Sequence, residues 1–264
     1  YADTVPPTLG FSGAVSNTWY NSNRTITAAS TDHYGIAEQY VSDTNGNWRT
    51  SFTATQTTDI WCRAKDNNGN WAGPSICGKV LIDKTAPTLG FAGATSGSWY
   101  NSNRTITPNS SDSGGSGLSA QYVSDTNGNW RSSITVSSTT TLSCYAKDKA
   151  GNEKSGTCGT VNIDKSAPSA GKNPTLNPSS WTNGNVTATV TKGDDTGGSG
   201  SKGINCSTTS SVPTTNTTAT TCSQTFTSNG TLYYRTVDNA GNWSAVGSVA
   251  VTNIDKTAPQ SGKN

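Results

Sequence analysis

One short motif recurs three times and limits what this chain can fold into. Asp148-Lys149-Ala150-Gly151-Asn152 is followed by Cys158 and then by Ile163-Asp164-Lys165-Ser166-Ala167-Pro168. An earlier copy is Asp66-Asn67-Asn68-Gly69-Asn70, leading to Ile82-Asp83-Lys84-Thr85-Ala86-Pro87. A later one is Asp238-Asn239-Ala240-Gly241-Asn242, leading to Ile254-Asp255-Lys256-Thr257-Ala258-Pro259. Each copy reads as a strand, a tight Asn/Gly turn, a return strand and an exit stopped by proline. That is the last hairpin of a small β domain and the hinge into the next. Ile82 to Ile163 is a step of 81 residues and Ile163 to Ile254 one of 91. The chain therefore divides into 1–84, 85–165 and 166–256, each near the size of a β-sandwich domain. Residues 257–264 start a following repeat or a linker strand.

Composition agrees with thin sheets and many turns. Apolar residues are 30% of the chain and charged residues 13%, whereas globular domains average about 45–50% apolar. The net charge of +2 and the absence of a Lys/Arg run exclude a nucleic-acid footprint. No apolar run is long enough for a membrane-spanning helix, and Tyr1 does not open a secretory signal. The segment Ala258-Pro259-Gln260-Ser261-Gly262-Lys263-Asn264 matches Ala167-Pro168-Ser169-Ala170-Gly171-Lys172-Asn173. The expectation is that another unit, or another copy of the chain, follows. A free terminal strand could add to an exposed edge near Tyr1–Phe11, giving head-to-tail assembly.

Six cysteines sort by unit as Cys62 with Cys77, Cys144 with Cys158, and Cys206 with Cys222. The first two pairs straddle the turns at Gly69 and Gly151, as cross-strand partners in a hairpin must. In the third unit the matching positions are Tyr234 and Val249, so both cysteines are lost together, and Cys206 and Cys222 form a new pair. No Cys-x-x-Cys or Cys/His cluster supports zinc. Disulfides imply an oxidising, extracellular setting. Closing a loop of about 15 residues contributes roughly 3 kcal/mol.

In the second unit the pattern predicts strands at Pro87–Phe91, Arg104–Thr107 and Gln121–Ser124. Trp130–Val136 reads as the partner of Gln121–Ser124, and Thr141–Lys147 with Gly159–Ile163 as the final hairpin. No stretch keeps a helical period. The first unit repeats Trp19 to Thr27 and Gln39 to Arg49 letter for letter, and the third places its extra length between Cys206 and Cys222.

The Asp-x-Ala-Gly-Asn turn followed by Ile-Asp-Lys-Thr-Ala-Pro resembles the Ig-like repeats of large secreted and surface-anchored bacterial proteins. Asn68 and Glu153 are departures from that pattern. The resemblance implies an all-β chain of three tandem Ig-like β-sandwich domains in an elongated array. It further implies a stalk, filament shaft or adhesive module at the cell surface, with no catalytic set. The partners expected are neighbouring repeats, further copies of the chain and a surface glycan.

Individual residues point the same way. His33, beside Asp32 and Tyr34, has no match in the later units and reads as a solvated loop residue. Asp194-Asp195 sit in a Gly/Ser loop rather than across a cleft. Asp66, Asp83, Asp148, Asp164, Asp238 and Asp255 are calcium candidates, with turn chemistry the preferred reading and no cofactor expected. Trp19, Trp99 and Trp181 read as plugs at the sandwich ends. Trp48, Trp71, Trp130 and Trp243 follow turns and are the candidates for sugar stacking. Asn-x-Ser/Thr sequons at Asn23, Asn103, Asn185 and Asn229 are expected by chance in such a sequence.

Overall fold

The computed structural model describes residues 3–44, 46–125 and 128–262. Asn45, Thr126 and Asn127 of the two Asn-Gly turns lie outside them. So do Tyr1, Ala2, Lys263 and Asn264, on which the terminal-strand expectation leans. Among the described residues every regular element is a strand and no helix forms. The chain opens with β1 (Phe11–Ser12), β2 (Trp19–Tyr20), β3 (Arg24–Ala28), β4 (Ile36–Ser42), β5 (Ser51–Ala54), β6 (Thr58–Asp66) and β7 (Trp71–Ile82). It continues with β8 (Phe91–Ala92), β9 (Trp99–Tyr100), β10 (Arg104–Pro108), β11 (Leu118–Ser124), β12 (Ile134–Val136), β13 (Thr140–Asp148) and β14 (Glu153–Ile163). The last strands are β15 (Gly171–Asn177), β16 (Val186–Lys192), β17 (Ser201–Ser207), β18 (Thr221–Phe226), β19 (Gly230–Asp238) and β20 (Gly247–Val251).

By Cα proximity the chain gathers into two compact units. One runs to Ala92 and takes in Thr107–Ser133 and Ser143–Cys158; the other holds Gly93–Ile106, Ile134–Leu142 and the chain from Gly159 onward.

In the first unit, β1-β3-β5 and β2-β7-β6-β4 form two sheets. Period-2 alternation places the core between them: Ile60, Cys62 and Ala64 of β6 are fully buried, with Ile26, Val41 and Val80. Each such aliphatic side chain contributes about 1.5–3 kcal/mol of burial. Among the described residues the bridge Val41↔Arg49 is the backbone pairing that holds the segment after β4 to it. The chain then crosses to the other sheet, where β5 pairs with β3 through Ile26↔Phe52. The crossing has a physical reason, because Phe52 and Ala54 alternate inward and need the opposite face. The same unit pairs β11 with β13 and the end of β10 with β8.

The second unit corrects the strand expected at Trp130–Val136. Its regular part, β12, pairs with β10 through Arg104↔Val136; among the described residues the pairing with β11 is the bridge Val123↔Arg131. β9 runs parallel to the end of β14. Sheets β15-β16-β18 and β17-β19-β20 enclose Val186, Val190, Ile204, Leu232 and Val251.

Disulfides join Cys62 to Cys77, Cys144 to Cys158 and Cys206 to Cys222, with Cα separations of 5.7, 5.7 and 6.1 Å. The first joins neighbouring strands β6 and β7 of one sheet. The third differs: Cys206 lies opposite Tyr234 and Cys222 opposite Val190, so it ties two sheets together. The Tyr234 ring occupies the position that Cys62 holds in the first repeat. Glycine is required beside it, since a Cβ on Gly247 would lie 2.5 Å from the ring.

Candidate functional site at the repeat junctions

Asp66, Asp148 and Asp238 end the long strands β6, β13 and β19 and are 1%, 1% and 0% exposed. Each closes its own turn. Asp148 Oδ1 accepts from the backbone N–H groups of Gly151 and Asn152 at 2.7 and 2.8 Å, and Oδ2 accepts from Asn152 Nδ2 at 2.7 Å. Asp238 is held the same way by Gly241 and Asn242, and Asp66 by Asn68 and Asn70. The turn needs glycine at Gly69, Gly151 and Gly241, whose φ values are 95, 98 and 95°.

The turn asparagine also reaches the hinge. Asn152 Nδ2 donates to the Asp83 carbonyl at 2.9 Å, and Asn242 Nδ2 to the Asp164 carbonyl at 2.9 Å. Asn70 Nδ2 makes the equivalent bond to Asp3 at 3.2 Å. The hinge carboxylates are buried too, Asp83 at 7% and Asp164 at 6% exposure. Asp83 accepts from the N–H groups of Thr85 and Ser116, Asp164 from those of Ser166 and Ser199. Ser116 Oγ in turn accepts from Ala150 N, and Ser199 Oγ from Ala240 N. The hinge residue is thus bonded both to the turn and to the loop of the segment that follows it.

A third aspartate completes each group. Asp83, Asp112 and Asp148 in the first unit bring carboxylate oxygens within 4.8 Å of one another, as do Asp164, Asp195 and Asp238 in the second. Asp3, Asp32 and Asp66 form a further group, in which Asp3 Oδ2 is buried without a hydrogen-bond partner. Gly115 and Gly198 lie against the carboxylates. A Cβ on Gly115 would lie 2.5 Å from Asp83 Oδ2 and 2.7 Å from Asp112 Oδ1, and one on Gly198 would meet Asp195 and Asp164 equally closely. Asp255 repeats only the hinge turn, accepting from Thr257 N, and is exposed. It joins no acidic group among the described residues.

Burial alone would raise these carboxyl pKa values. For Asp83 and Asp164 it is outweighed by the N–H donors of Ser116 and Ser199, aided by those of Thr85 and Ser166, so both lie below the ordinary range. Asp66 is lowered likewise, the Asn70 and turn hydrogen bonds outweighing burial. Asp195 moves the other way. Burial raises it, and the negative charges of Asp164 and Asp238 add to that, outweighing the hydrogen bonds from Gly200 N–H and the Ser199 side chain. Among the described residues no ion pair includes any of these aspartates. The donor set, all oxygen and all anionic, is the kind a hard cation such as calcium takes.

Of the six calcium candidates, five fall in these groups and Asp255 does not. Asp3, Asp32, Asp112 and Asp195 were not among those candidates. The signal for two of them is in the sequence, where Asp-x-Gly-Gly-Ser-Gly occurs as 112–117 and again as 195–200.

The aromatic candidates stack within the chain. The Arg63 guanidinium lies 4.9, 4.8 and 5.6 Å from the rings of Tyr40, Trp48 and Trp71. Tyr145 takes the place of arginine between Tyr122 and Trp130, at 6.0 and 5.7 Å. Arg235 lies 5.4 Å from Trp243. Trp48, Trp130 and Trp243 are half-buried, whereas Trp71 is exposed. Trp19 and Trp99 are half-buried beside the last strands of their repeats. Trp181 departs from the expected plug: it is 72% exposed, followed by a lone bridge, Thr182↔Ile254. His33 is exposed, edge-on to Tyr34.

No family model matches the sequence, and no curated protein matches it significantly. Three solved structures illustrate what it resembles in shape. The three N-terminal domains of the bacteriophage RB49 highly immunogenic outer capsid protein match at 8% identity and a TM-score of 0.46, covering 96% of this chain and 100% of theirs. A structure described as giving insight into host cell surface retention of a 1.5-MDa bacterial ice-binding adhesin matches at 15% identity and TM-score 0.37, covering 96% and 100%. The chicken CNTN1 FN1-FN3 domains match at 12% and 0.32, covering 94% and 98%.

Proposed function

We propose that this chain is a non-enzymatic, extracellular structural array, a stalk or filament shaft of a bacterial surface protein. It is built from three tandem Ig-like sandwiches, 1–84, 85–165 and 166–256. The observation that carries this reading is the junction. Asp83 and Asp164 sit in hinges, yet each is buried and bonded to the turn and loop of the following repeat. A hinge held at both its carbonyl and its carboxylate resists bending, which a spacer needs and a Gly/Ser linker lacks. Disulfides stiffen each repeat from within and suit an oxidising exterior. Calcium bound by Asp83, Asp112 and Asp148, or by Asp164, Asp195 and Asp238, would neutralise the buried charge and tighten the same clamp. Pulling single molecules end to end in an optical trap tests the array. Three separate unfolding events support it, and one cooperative event overturns it.

A second reading, adhesion to a surface glycan, draws on Trp71 and Trp181, whose rings are 45% and 72% exposed. A glycan array probed with the protein and with its W71A/W181A variant tests that reading. Binding lost in the variant supports it, and a blank array removes it.

A further inference from the structure

The segment Ser207–Thr221 is unlike the rest of the chain. It leaves β17 at Cys206 and enters β18 at Cys222, so the disulfide closes its base. Eleven of its 15 residues are Ser or Thr, arranged around a single proline, Pro213, and no charged residue lies between Lys202 and Arg235. Nine of the eleven are exposed. A segment of this composition buries little to offset its own ordering, yet it follows a defined course. Val212 is buried at 7% exposure and pins its middle. Asn205 Nδ2 donates to the carbonyls of Pro213 and Thr215 at 3.1 and 2.8 Å. The amides of Ile204 and Lys192 donate to the carbonyls of Ala219 and Thr220.

These anchors run mostly through the backbone: Thr215 Oγ1 also accepts from Asn205 Nδ2, the Ser207 and Thr209 hydroxyls bond each other, and Thr217 Oγ1 accepts from Ala219 N, while other hydroxyls of the segment stay free. Among the described residues Thr208, Ser210, Ser211, Thr214, Thr218 and Thr220 make no side-chain hydrogen bond and face solvent. Dense, exposed, proline-interrupted hydroxyls without charge are the composition of O-glycosylated stalks. We propose that Ser207–Thr221 is an O-linked glycosylation site, modified by a transferase that uses a sugar nucleotide. The hydroxyl oxygen bonds to the anomeric carbon of the sugar. The bond from that carbon to the phosphate oxygen breaks, and the nucleoside diphosphate leaves with the electron pair. The hydroxyl proton passes to a base on the transferase. The sugars would project from a tethered loop and shield it from proteases.

The test uses the whole protein purified from the cells that make it. Trypsin releases the peptide that follows Lys202 and ends at Arg235, and electron-transfer fragmentation locates its modifications. The expected result is several sugar increments on Ser and Thr within 207–221, absent from the same protein made by cell-free translation. An unmodified peptide, phosphate increments, or sugar confined to Asn216 would overturn the proposal. In a variant with Thr208, Ser210, Ser211, Thr214, Thr218 and Thr220 changed to Ala, the circular dichroism spectrum should be unchanged. Its intact mass should lose most of the sugar mass that the wild type carries. Retention of the full sugar mass elsewhere in the chain would overturn the assignment.

Discussion

Replacing Asn152 by alanine isolates the junction clamp. The substitution removes two hydrogen bonds made by one Nδ2 group, to the Asp83 carbonyl and to Asp148 Oδ2, and leaves the backbone bond from Asn152 N to Asp148 Oδ1. A bond to a neutral carbonyl contributes about 1 kcal/mol and one to a charged acceptor about 1.5–3 kcal/mol. Asn152 is half-buried, so water replaces part of both, and the net loss should be about 2 kcal/mol. A chain of several repeats does not unfold as one unit, so a single melting temperature would blur the effect. Hydrogen exchange resolves it locally. The amides of Ser116 and Ala150, bonded to Asp83 Oδ2 and Ser116 Oγ, should exchange about 30-fold faster, as 1.36 kcal/mol is tenfold. Amides of β19 should keep their wild-type rates. Exchange at Ser116 and Ala150 within about twofold of wild type would refute the clamp.

Asp195→Asn should stabilise the third repeat at neutral pH without calcium, raising its melting midpoint by a few degrees, because burial and two neighbouring carboxylates raise the Asp195 pKa. If the midpoint falls, charge repulsion is not the governing effect there. Acid should act oppositely at the other junction aspartates. Asp66, Asp83 and Asp164 have lowered folded-state pKa values, so their contribution is present above the unfolded value and disappears as pH falls through the folded one. Exchange-detected opening at the junctions should increase below about pH 4. Calcium should raise the stability of both junctions in calorimetry, and EDTA should reverse it; an unchanged thermogram would leave the carboxylates with turn chemistry alone. Gly115→Ala should destabilise the loop at 112–117, since its Cβ would lie 2.5–2.8 Å from the Asp83 and Asp112 carboxylate oxygens; wild-type exchange at Ser116 in that variant would contradict the packing.

The strand pattern of the hairpins was legible because it rests on period-2 alternation and Asn/Gly turns, both local signals. The strand at Trp130–Val136 was misassigned because partner choice depends on which face Ile134 and Val136 must bury, and nothing local encodes that. The junction was half legible. The hinge and turn aspartates stood out through repetition, while Asp112 and Asp195 were hidden in glycine-rich loops that resemble plain linkers. Their glycines prove to be spatial requirements at Gly115 and Gly198 rather than marks of flexibility. Trp181 shows the converse limit. It occupies the slot of Trp19 and Trp99 in sequence, but the short β2 and β9 ladders shrink in its repeat to one bridge.

Small-angle X-ray scattering on the whole chain, beside its N152A/N242A variant, tests the stiff-array account most directly. The account predicts the scattering of a rod of three beads for the wild type, with a shorter maximum dimension and a broader distance distribution in the variant. A compact globule, or identical curves for the two proteins, would contradict it.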